Sequence, residues 1–134
     1  MFSDKEIAYL KSQRLARIAT VSNTLQPDVA PVGFEFDGVY FYIGGLQQTR
    51  TNKYRNVVGG NTKVALVVDD VESTDPWMPR GIKIHGEAEI IERQGQSGSA
   101  PVLKVKPERV WSWGIERPVF EDGKPVMKQT KASG

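Results

Sequence analysis

One segment with a sustained two-residue period constrains the fold of this chain more than any other feature. Residues 80–93, RGIKIHGEAEIIER, place apolar or small residues at every second position from Ile82 to Ile90, with charged and polar residues between them. A period of two is the pattern of a β-strand that buries one face and exposes the other. A strand this long is typical of a barrel.

The first part of the chain predicts a helix followed by strands. Ser3 is a candidate N-cap for a helix that ends near Gln13, because acidic residues follow it and apolar residues recur at helical spacing. Residues 14–22 alternate imperfectly and are interpreted as a strand. Residues 28–36 predict a second strand, in which Pro31 indicates an edge or a bulge.

Asp37-Gly38 is the strongest hairpin signal in the sequence. It predicts a type I′ turn that joins the second strand to a third at residues 39–45, so the first three strands are expected to form a meander. Six or so strands, with one helix in front and one inserted between the third and fourth, favour a mostly β chain built as an antiparallel barrel.

A short second helix is predicted at residues 49–56, TRTNKYRN, and Gly59-Gly60 is expected to end it. Its apolar residues recur at helical spacing and are expected to face the core, whereas Lys53 and Asn56 are expected to point elsewhere. The expected core positions are Tyr54, Val57 and Val58.

The remaining segments are interpreted from their composition. Residues 62–71 predict a buried strand, and residues 94–100, QGQSGSA, a flexible connector. The other predictions are a loop at 75–79, a strand at 102–116 that is broken at 106–108, and a loosely held polar tail. The predicted organisation is therefore one barrel domain at 1–117 followed by a tail at 118–134.

Composition limits the classes of function. The 134 residues include no cysteine, which excludes disulfides, a thiolate nucleophile and Cys-based metal sites. A net charge of +2 is too small to imply nucleic-acid binding, and no apolar run approaches a membrane span. The charged N-terminus does not resemble a secretory signal, so a cytoplasmic protein with no membrane and no nucleic-acid partner is expected.

Several polar and aromatic residues are interpreted as structural. The single histidine, His85, excludes a paired-His metal site and is expected to be a half-buried or interface residue. Asp69 and Asp70 are interpreted as a solvated strand end, since no histidine or metal partner accompanies them. Trp111 and Trp113 share one face of a strand and are expected to be core or interface anchors.

The segment TRTNKYRN predicts an anion site. Cations in the first turn oppose the helix dipole by roughly 0.3–1 kcal/mol unless something negative binds there. Backbone N–H groups, threonine hydroxyls and lysine or arginine side chains together can hold a phosphate. Gly44 and Gly45 precede this helix and permit a close approach of the backbone to a bound group. Trp77 and Arg80 lie in a proline-stiffened segment that either covers a planar ligand or seals one end of the barrel.

These segments, taken in order, resemble the pyridoxamine 5′-phosphate oxidase-like split β-barrel superfamily, and within it the actinobacterial oxidoreductases that depend on the deazaflavin coenzyme F420. The most specific elements are KYRN followed after five residues by TKVALVVDD, and then DPWMPRGIKIHGEAE. The resemblance spans roughly Ile7 to Ile115. It implies an FMN-binding type of split barrel that forms a homodimer, with the cofactor in a groove to which both chains contribute.

The resemblance also implies a set of cofactor contacts. Lys53 is expected on the cofactor phosphate, and the ring is expected to contact strand ends largely through their backbone. The other residues expected to contact the phosphate are Arg50, Thr51, Asn52 and Asn56. The ring contacts are Thr20, Val21, Pro31, Val32, Ile43 and Gly44, with Trp77 and Arg80 near the ring or the cofactor tail. No metal and no catalytic side chain is implied.

The implied function is a reductase that transfers a hydride from reduced F420 to an electron-poor double bond of a small molecule. FMN is the alternative cofactor, because both ligands are phosphorylated tricycles. The alternative functions are an FMN-binding oxidase-like protein and a flavin or deazaflavin carrier without turnover. The substrate-phosphate residues of true oxidases are not recognisable at residues 111–129. Lysines of the tail, Lys124, Lys128 and Lys131, are candidate contacts for the oligoglutamyl tail of F420.

Overall fold

The computed structural model describes residues 1–95 and 98–132. Its helices are α1 (Asp4–Ser12) and α2 (Asn52–Val58), and a 3-10 turn, Gln48–Arg50, precedes α2. Its strands are β1 (Leu15–Val21), β2 (Pro27–Gly33), β3 (Glu35–Phe36), β4 (Phe41–Ile43), β5 (Lys63–Thr74), β6 (Trp77–Gly95), β7 (Gly98–Trp113), β8 (Phe120–Glu121), β9 (Lys124–Pro125) and β10 (Lys128–Lys131). Neither helix of the described ranges has the length and apolarity needed to cross a bilayer.

Eight of these strands form one antiparallel sheet in the order β2-β1-β5-β6-β7-β4-β3, with β10 added to β7. The end strands β2 and β3 are separated only by Phe34. A sheet whose two ends are joined by one residue has to roll up on itself. The prediction of a mostly β, antiparallel barrel is therefore confirmed.

The inside of the rolled sheet is the hydrophobic core. The alternation predicted for β6 is confirmed, since Ile82 and Ile84 are fully buried whereas His85 is exposed. Ile18 of β1 and Leu66 of β5 are buried against them. Burial of each such side chain contributes about 1.5–3 kcal/mol, so this inner face is the main source of stability.

The predicted first helix is confirmed, and one of its residues is buried. Ser3 and Glu6 form a capping box at the start of α1, and Gln13 is the C-cap. Glu6 is only 1% exposed. Its carboxylate accepts hydrogen bonds from the Ser112 hydroxyl at 2.6 Å and from Lys128 Nζ at 3.2 Å, and so connects the first helix to the last strand.

The pairings predicted for the meander are confirmed, including the hairpin at Asp37-Gly38, but the predicted second strand is divided into β2 and β3. β1 and β2 pair at one end of the strand order, whereas β3 and β4 pair at the other. The break falls at Phe34, where the chain crosses from one end of the rolled sheet to the other. The predicted type I′ turn is wrong, because the Asp37 N–H donates to the Tyr40 carbonyl and the Asp37 carboxylate accepts the Val39 and Tyr40 N–H groups. Gly38 and Val39 are thus the two central residues of the turn. A type I′ turn needs a positive φ at both, and only Gly38 has one.

Other segments predicted as loops belong to strands. Residues 77–79 begin β6, because β5 and β6 are joined by a tight turn at Asp75-Pro76. Most of the predicted connector extends the β6–β7 hairpin, and its Gln96 and Ser97 lie outside the described residues. The predicted break at 106–108 is a bulge within a continuous β7, since Gly86 pairs with Pro107 and His85 with Arg109. The predicted loose tail is wrong for β10, which pairs with β7.

Candidate functional site

The helix α2 buries a face that its sequence does not suggest. Lys53 and Val57, one turn apart, are buried at 8% and 5% exposure, whereas Val58 is 58% exposed and Tyr54 is half-buried. The prediction that Lys53 points away from the core is therefore wrong. The helix packs on β1 and β6, and this tertiary contact selects the side that is buried. The predicted end at Gly59 is confirmed.

The side chain of Lys53 is buried, and the protein compensates its charge only in part. Among the described residues, its ammonium makes no ion pair. Burial lowers the pKa of Lys53, and the nearby carboxylate of Asp28 only partly opposes this effect. A desolvated ammonium without a partner is a favourable site for an anion. Because α2 has only seven residues, this side chain rather than the helix dipole makes the site.

The polar residues around Lys53 connect α2 to the sheet. The Asn56 amide donates to Thr20 Oγ1 at 2.9 Å, which joins the helix to the end of β1. The Asn52 amide lies 3.4 Å from Asp28 Oδ1. Thr51 is the N-cap, since its hydroxyl accepts the Tyr54 N–H at 3.3 Å. Arg50 is exposed. Of the predicted phosphate contacts, Asn56 is thus joined to Thr20, whereas Asn52 lies beside Asp28.

A second buried polar group without a partner precedes the helix. Gln48 is 3% exposed, and its amide nitrogen donates to the Ile43 carbonyl at 2.8 Å. Its Oε1 is buried and has no hydrogen-bond partner among the described residues. A Cβ on Gly45 would stand only 3.2 Å from this oxygen, so the glycine leaves open the space beside it. Nothing in the sequence marks Gln48 except the Gly44-Gly45 pair that precedes it.

Two surface grooves contain the other predicted ring contacts. Thr20 and Val21 line a groove of about 410 Å³ on the outer face of the sheet. Gly44 lines a different groove of about 690 Å³ between the ends of β4 and the β6–β7 hairpin. Ile43 is buried in the core, so only its backbone faces outward. The predicted ring contacts are therefore divided between two surfaces of a single chain.

Pro31 and Val32 lie on the edge strand β2, as the proline indicated. Pro31 is exposed and pairs with Arg17, whereas the side chain of Val32 is buried at 7% exposure. A ligand on the outer surface can therefore reach only the backbone of Val32.

Trp77 and Arg80 lie far from α2 along the sheet. Trp77 pairs with Thr74, whereas the groove beside Thr20 lies at Ala65, roughly 30 Å away along β5 at ~3.3 Å per residue. Trp77 is 54% exposed. Arg80 forms two hydrogen bonds to Asp70, at 2.8 and 3.0 Å. Within one chain, these two residues do not join the site around Lys53.

Asp70 is not the solvated strand end that its sequence context predicts, because it forms a cluster with Arg80 and Tyr9. The Arg80 guanidinium holds the pKa of Asp70 below its usual range, and the Tyr9 hydroxyl donates to the same carboxylate at 2.8 Å. Burial raises the pKa of Tyr9, and its hydrogen bond to Asp70 raises it further. This cluster fastens α1 to β5 and β6, and β5 continues past it to Thr74.

Outer-face residues near the groove also differ from expectation. His85 is exposed rather than half-buried, and its ring lies 4.6 Å from that of Trp111, edge to face. Trp111 and Trp113 are half-buried on the outer face, whereas Val110 and Ser112 point inward. The prediction that the tryptophans are core residues is therefore wrong, and their role as interface anchors stays a prediction.

The site residues fit a phosphorylated ring cofactor. The charge of Lys53 suits a phosphate. Gly44 and Gly45 permit a close approach of such a ring to the backbone.

Comparison with known proteins agrees with this fit. The family model described as pyridoxamine 5′-phosphate oxidase matches residues 2–114. A 5a,11a-dehydrotetracycline/5a,11a-dehydrooxytetracycline reductase from Streptomyces rimosus subsp. rimosus is 38% identical over 121 residues, which cover 86% of this chain and 84% of the reductase.

Two solved structures have a similar fold. One is an F420 reductase, with a TM-score of 0.63, 20% identity, and coverage of 82% of this chain and 98% of that one. The other is a FAD-binding protein from Mesorhizobium loti, with a TM-score of 0.62, 15% identity, and coverage of 83% and 91%. The match to the family model confirms the resemblance seen in the sequence: the chain belongs to the pyridoxamine 5′-phosphate oxidase family and has its split β-barrel fold.

Proposed function

We propose that this protein is a reductase that uses reduced F420 to reduce an electron-poor double bond of a small molecule. The observation that carries the proposal is Lys53, whose side chain is only 8% exposed and whose ammonium forms no ion pair among the described residues. In a family that binds phosphorylated ring cofactors, a partly desolvated cation that only Asp28 compensates is best explained as the contact for the cofactor phosphate.

The relatives support the reductase class. The Streptomyces protein is named as a reductase of dehydrotetracyclines, and its similarity extends over most of both chains. The structural similarity to an F420 reductase favours the deazaflavin, whereas the similarity to a FAD-binding protein supports a flavin. FMN remains the alternative cofactor, and a carrier without turnover remains the alternative function.

The roles of this chain's residues follow from their contacts. Lys53 binds the phosphate, and Thr51, Asn52 and Asn56 surround it with polar groups. Gly44 and Gly45 let the ring approach the backbone closely. When bound, reduced F420 supplies a hydride from its ring. The protein contributes position and charge.

A second copy of the chain explains the position of Trp77 and Arg80. Trp77 cannot reach Lys53 of its own chain, since about 30 Å of strand separates it from Ala65 at the other end of the sheet, and Arg80 stands roughly 16 Å from Ala65 along the same strand pair. We propose a homodimer in which the exposed Trp77 of one chain approaches the cofactor of the other. Arg80 forms an ion pair with Asp70 and would then stabilise the β5–β6 hairpin that carries Trp77.

The proposal is tested by mixing the purified protein with F420 and, separately, with FMN, and by recording absorbance and fluorescence. Tighter binding of F420 is expected. Oxidation of the reduced cofactor is then followed with a panel of enones and quinones. Binding of F420 with no oxidation by any acceptor would support the carrier, and a clear preference for FMN would support the oxidase-like alternative.

A further inference from the structure

We infer that the groove on the outer face beside Thr20 binds the acceptor substrate, with Arg109 holding its carbonyl oxygen and His85 giving it a proton. This inference rests on the proposed function and assigns a role to His85 and Arg109, which are not among the predicted cofactor contacts. The groove has a volume of about 410 Å³, within the range of small-molecule sites.

Small residues on the outer face create this groove. Ala19, Ala65, His85 and Arg109 stand side by side on four neighbouring strands. The two alanines leave a shallow, flat floor, and the two basic residues stand at one end of it. A flat ring can lie on such a floor while its oxygen faces the basic end. The groove therefore fits a planar molecule with a polar oxygen at one side.

A β-bulge arranges the basic end. His85 pairs with Arg109 and Gly86 with Pro107, so Glu108 is the extra residue of β7. Bulges redirect side chains and are frequent beside active sites. Both Glu108 and Arg109 line the groove as a result. A side chain at Gly86 would meet the Lys106 carbonyl at 2.6 Å, so the bulge requires glycine at this position.

Trp111 holds the two basic side chains in place. Its ring lies 4.6 Å from the ring of His85 and 5.3 Å from the Arg109 guanidinium carbon. Neither basic side chain forms an ion pair among the described residues. Both therefore remain available to a ligand while their orientation is fixed by packing.

The end of β1 connects the groove to α2. The buried Thr20 hydroxyl accepts the hydrogen bond from Asn56 on the inner face, while the neighbouring Ala19 and Val21 line the groove on the outer face. A ring anchored at Lys53 would have to extend around the end of β1 to face a molecule in the groove.

The chemistry requires one proton for each hydride. When a hydride adds to the β-carbon of an enone, the π electrons move to the carbonyl oxygen, which becomes negatively charged. The Arg109 guanidinium stabilises this oxygen, and an imidazolium N–H of His85 donates the proton that completes the reduction. Solvent then returns a proton to the imidazole. The two electrons come from the reduced deazaflavin of the proposed function, so charge and atoms balance.

Chemical rescue tests the role of His85. With reduced F420 already bound, His85→Ala is expected to reduce 1,4-naphthoquinone about a hundredfold more slowly in a single turnover, and added imidazole is expected to restore part of the rate. Lys83→Ala is the matched control. Lys83 lies on the same strand and contacts Trp111, but it does not line the groove, so its rate should stay unchanged. Unfolding curves establish that all variants are folded.

The single histidine also permits a test without turnover. The imidazole resonance of His85 in the NMR spectrum is expected to shift when 2-naphthoate, a planar anion, is added to the wild-type protein, and not in Arg109→Gln. If wild type turns over the quinone while His85→Ala keeps the same rate and the resonance does not move, this inference is wrong and the reductase stands. If wild type reduces no acceptor, both this inference and the proposed reductase function are wrong.

Discussion

Two buried charges, one near the start of the chain and one in its middle, are treated by this fold in opposite ways. Glu6 is 1% exposed, and its carboxylate accepts hydrogen bonds from the Ser3 N–H, the Ser112 hydroxyl and the Lys128 ammonium. Lys53 is 8% exposed and has no such partner among the described residues. The fold satisfies the first charge completely and leaves the second one open.

The pKa shifts show the same difference. Burial alone would raise the pKa of Glu6, but the hydrogen bonds from Ser112, Ser3 and Lys128 outweigh it and hold the pKa below the ordinary value of 4.5. Burial lowers the pKa of Lys53, and only Asp28 opposes it. A buried charge that the protein has paired stabilises the fold, whereas a buried charge left unpaired destabilises the free protein and is available to a ligand.

The largest expected effect is on the paired charge. Glu6→Ala should lower the free energy of unfolding by about 3 kcal/mol, because it leaves the Ser112 hydroxyl and the Lys128 ammonium without their partner. Urea denaturation measures this change. Asp4→Ala, which removes an exposed carboxylate from the same helix, is the control and should cost less. A loss of stability no greater than that of the control would show that Glu6 is not a structural charge.

The dependence of stability on acidic pH should also depend on Glu6. Because the folded-state pKa of Glu6 lies below 4.5, the charged form stabilises the fold above that pH, and this contribution is lost as the pH falls through the lowered value. The free energy of unfolding of wild type should therefore drop more steeply below about pH 4.5 than that of Glu6→Gln. Parallel slopes for the two proteins in urea denaturation between about pH 3 and 6 would contradict the prediction.

The sequence predicts those parts of the structure that depend on a local residue pattern, and not those that depend on contacts between distant segments. The first helix and the long strand β6 follow directly from a capping signal at Ser3 and from alternation between Ile82 and Ile90. The strand order does not, since nothing local marks Phe34 as the point where the chain crosses the barrel. Likewise, the segment TRTNKYRN predicts an anion site, but burial of Lys53 follows from how α2 packs on β1 and β6.

Gln48 and β10 illustrate the same limit. The side chain of Gln48 is buried by the path of the loop after β4, and no periodicity precedes it. The segment that contains β10 has the polar composition of a tail. Lys128 nevertheless contacts Glu6, which is 122 residues earlier in the sequence. Of the tail lysines considered for the cofactor, Lys128 is thus already bound to Glu6, whereas Lys131 stands beside Arg109.

The unpaired charge predicts the opposite response to substitution. Lys53→Met keeps the apolar stem and removes the ammonium, so the free protein should be as stable as wild type or more stable by up to about 1 kcal/mol. Thermal unfolding without cofactor measures this change. A clear loss of stability would mean that the ammonium has a structural role, as Glu6 does.

The smallest expected effect concerns Asp28, the carboxylate that partly compensates Lys53. Asp28→Asn removes a negative charge that competes with the phosphate, and should tighten cofactor binding about twofold, or ~0.4 kcal/mol. Equilibrium titration with F420 measures the change. Weaker binding in this variant would indicate that Asp28 orients the site instead of competing with the ligand.

The central claim, that Lys53 is a buried charge kept for a cofactor phosphate, is tested most directly by a fluorescence titration with F420. Lys53→Ala should weaken binding more than tenfold, which corresponds to a loss of at least about 1.4 kcal/mol. Lys5→Ala, at an exposed lysine of α1, should bind F420 as wild type does. Equal affinities for wild type and Lys53→Ala would contradict the claim.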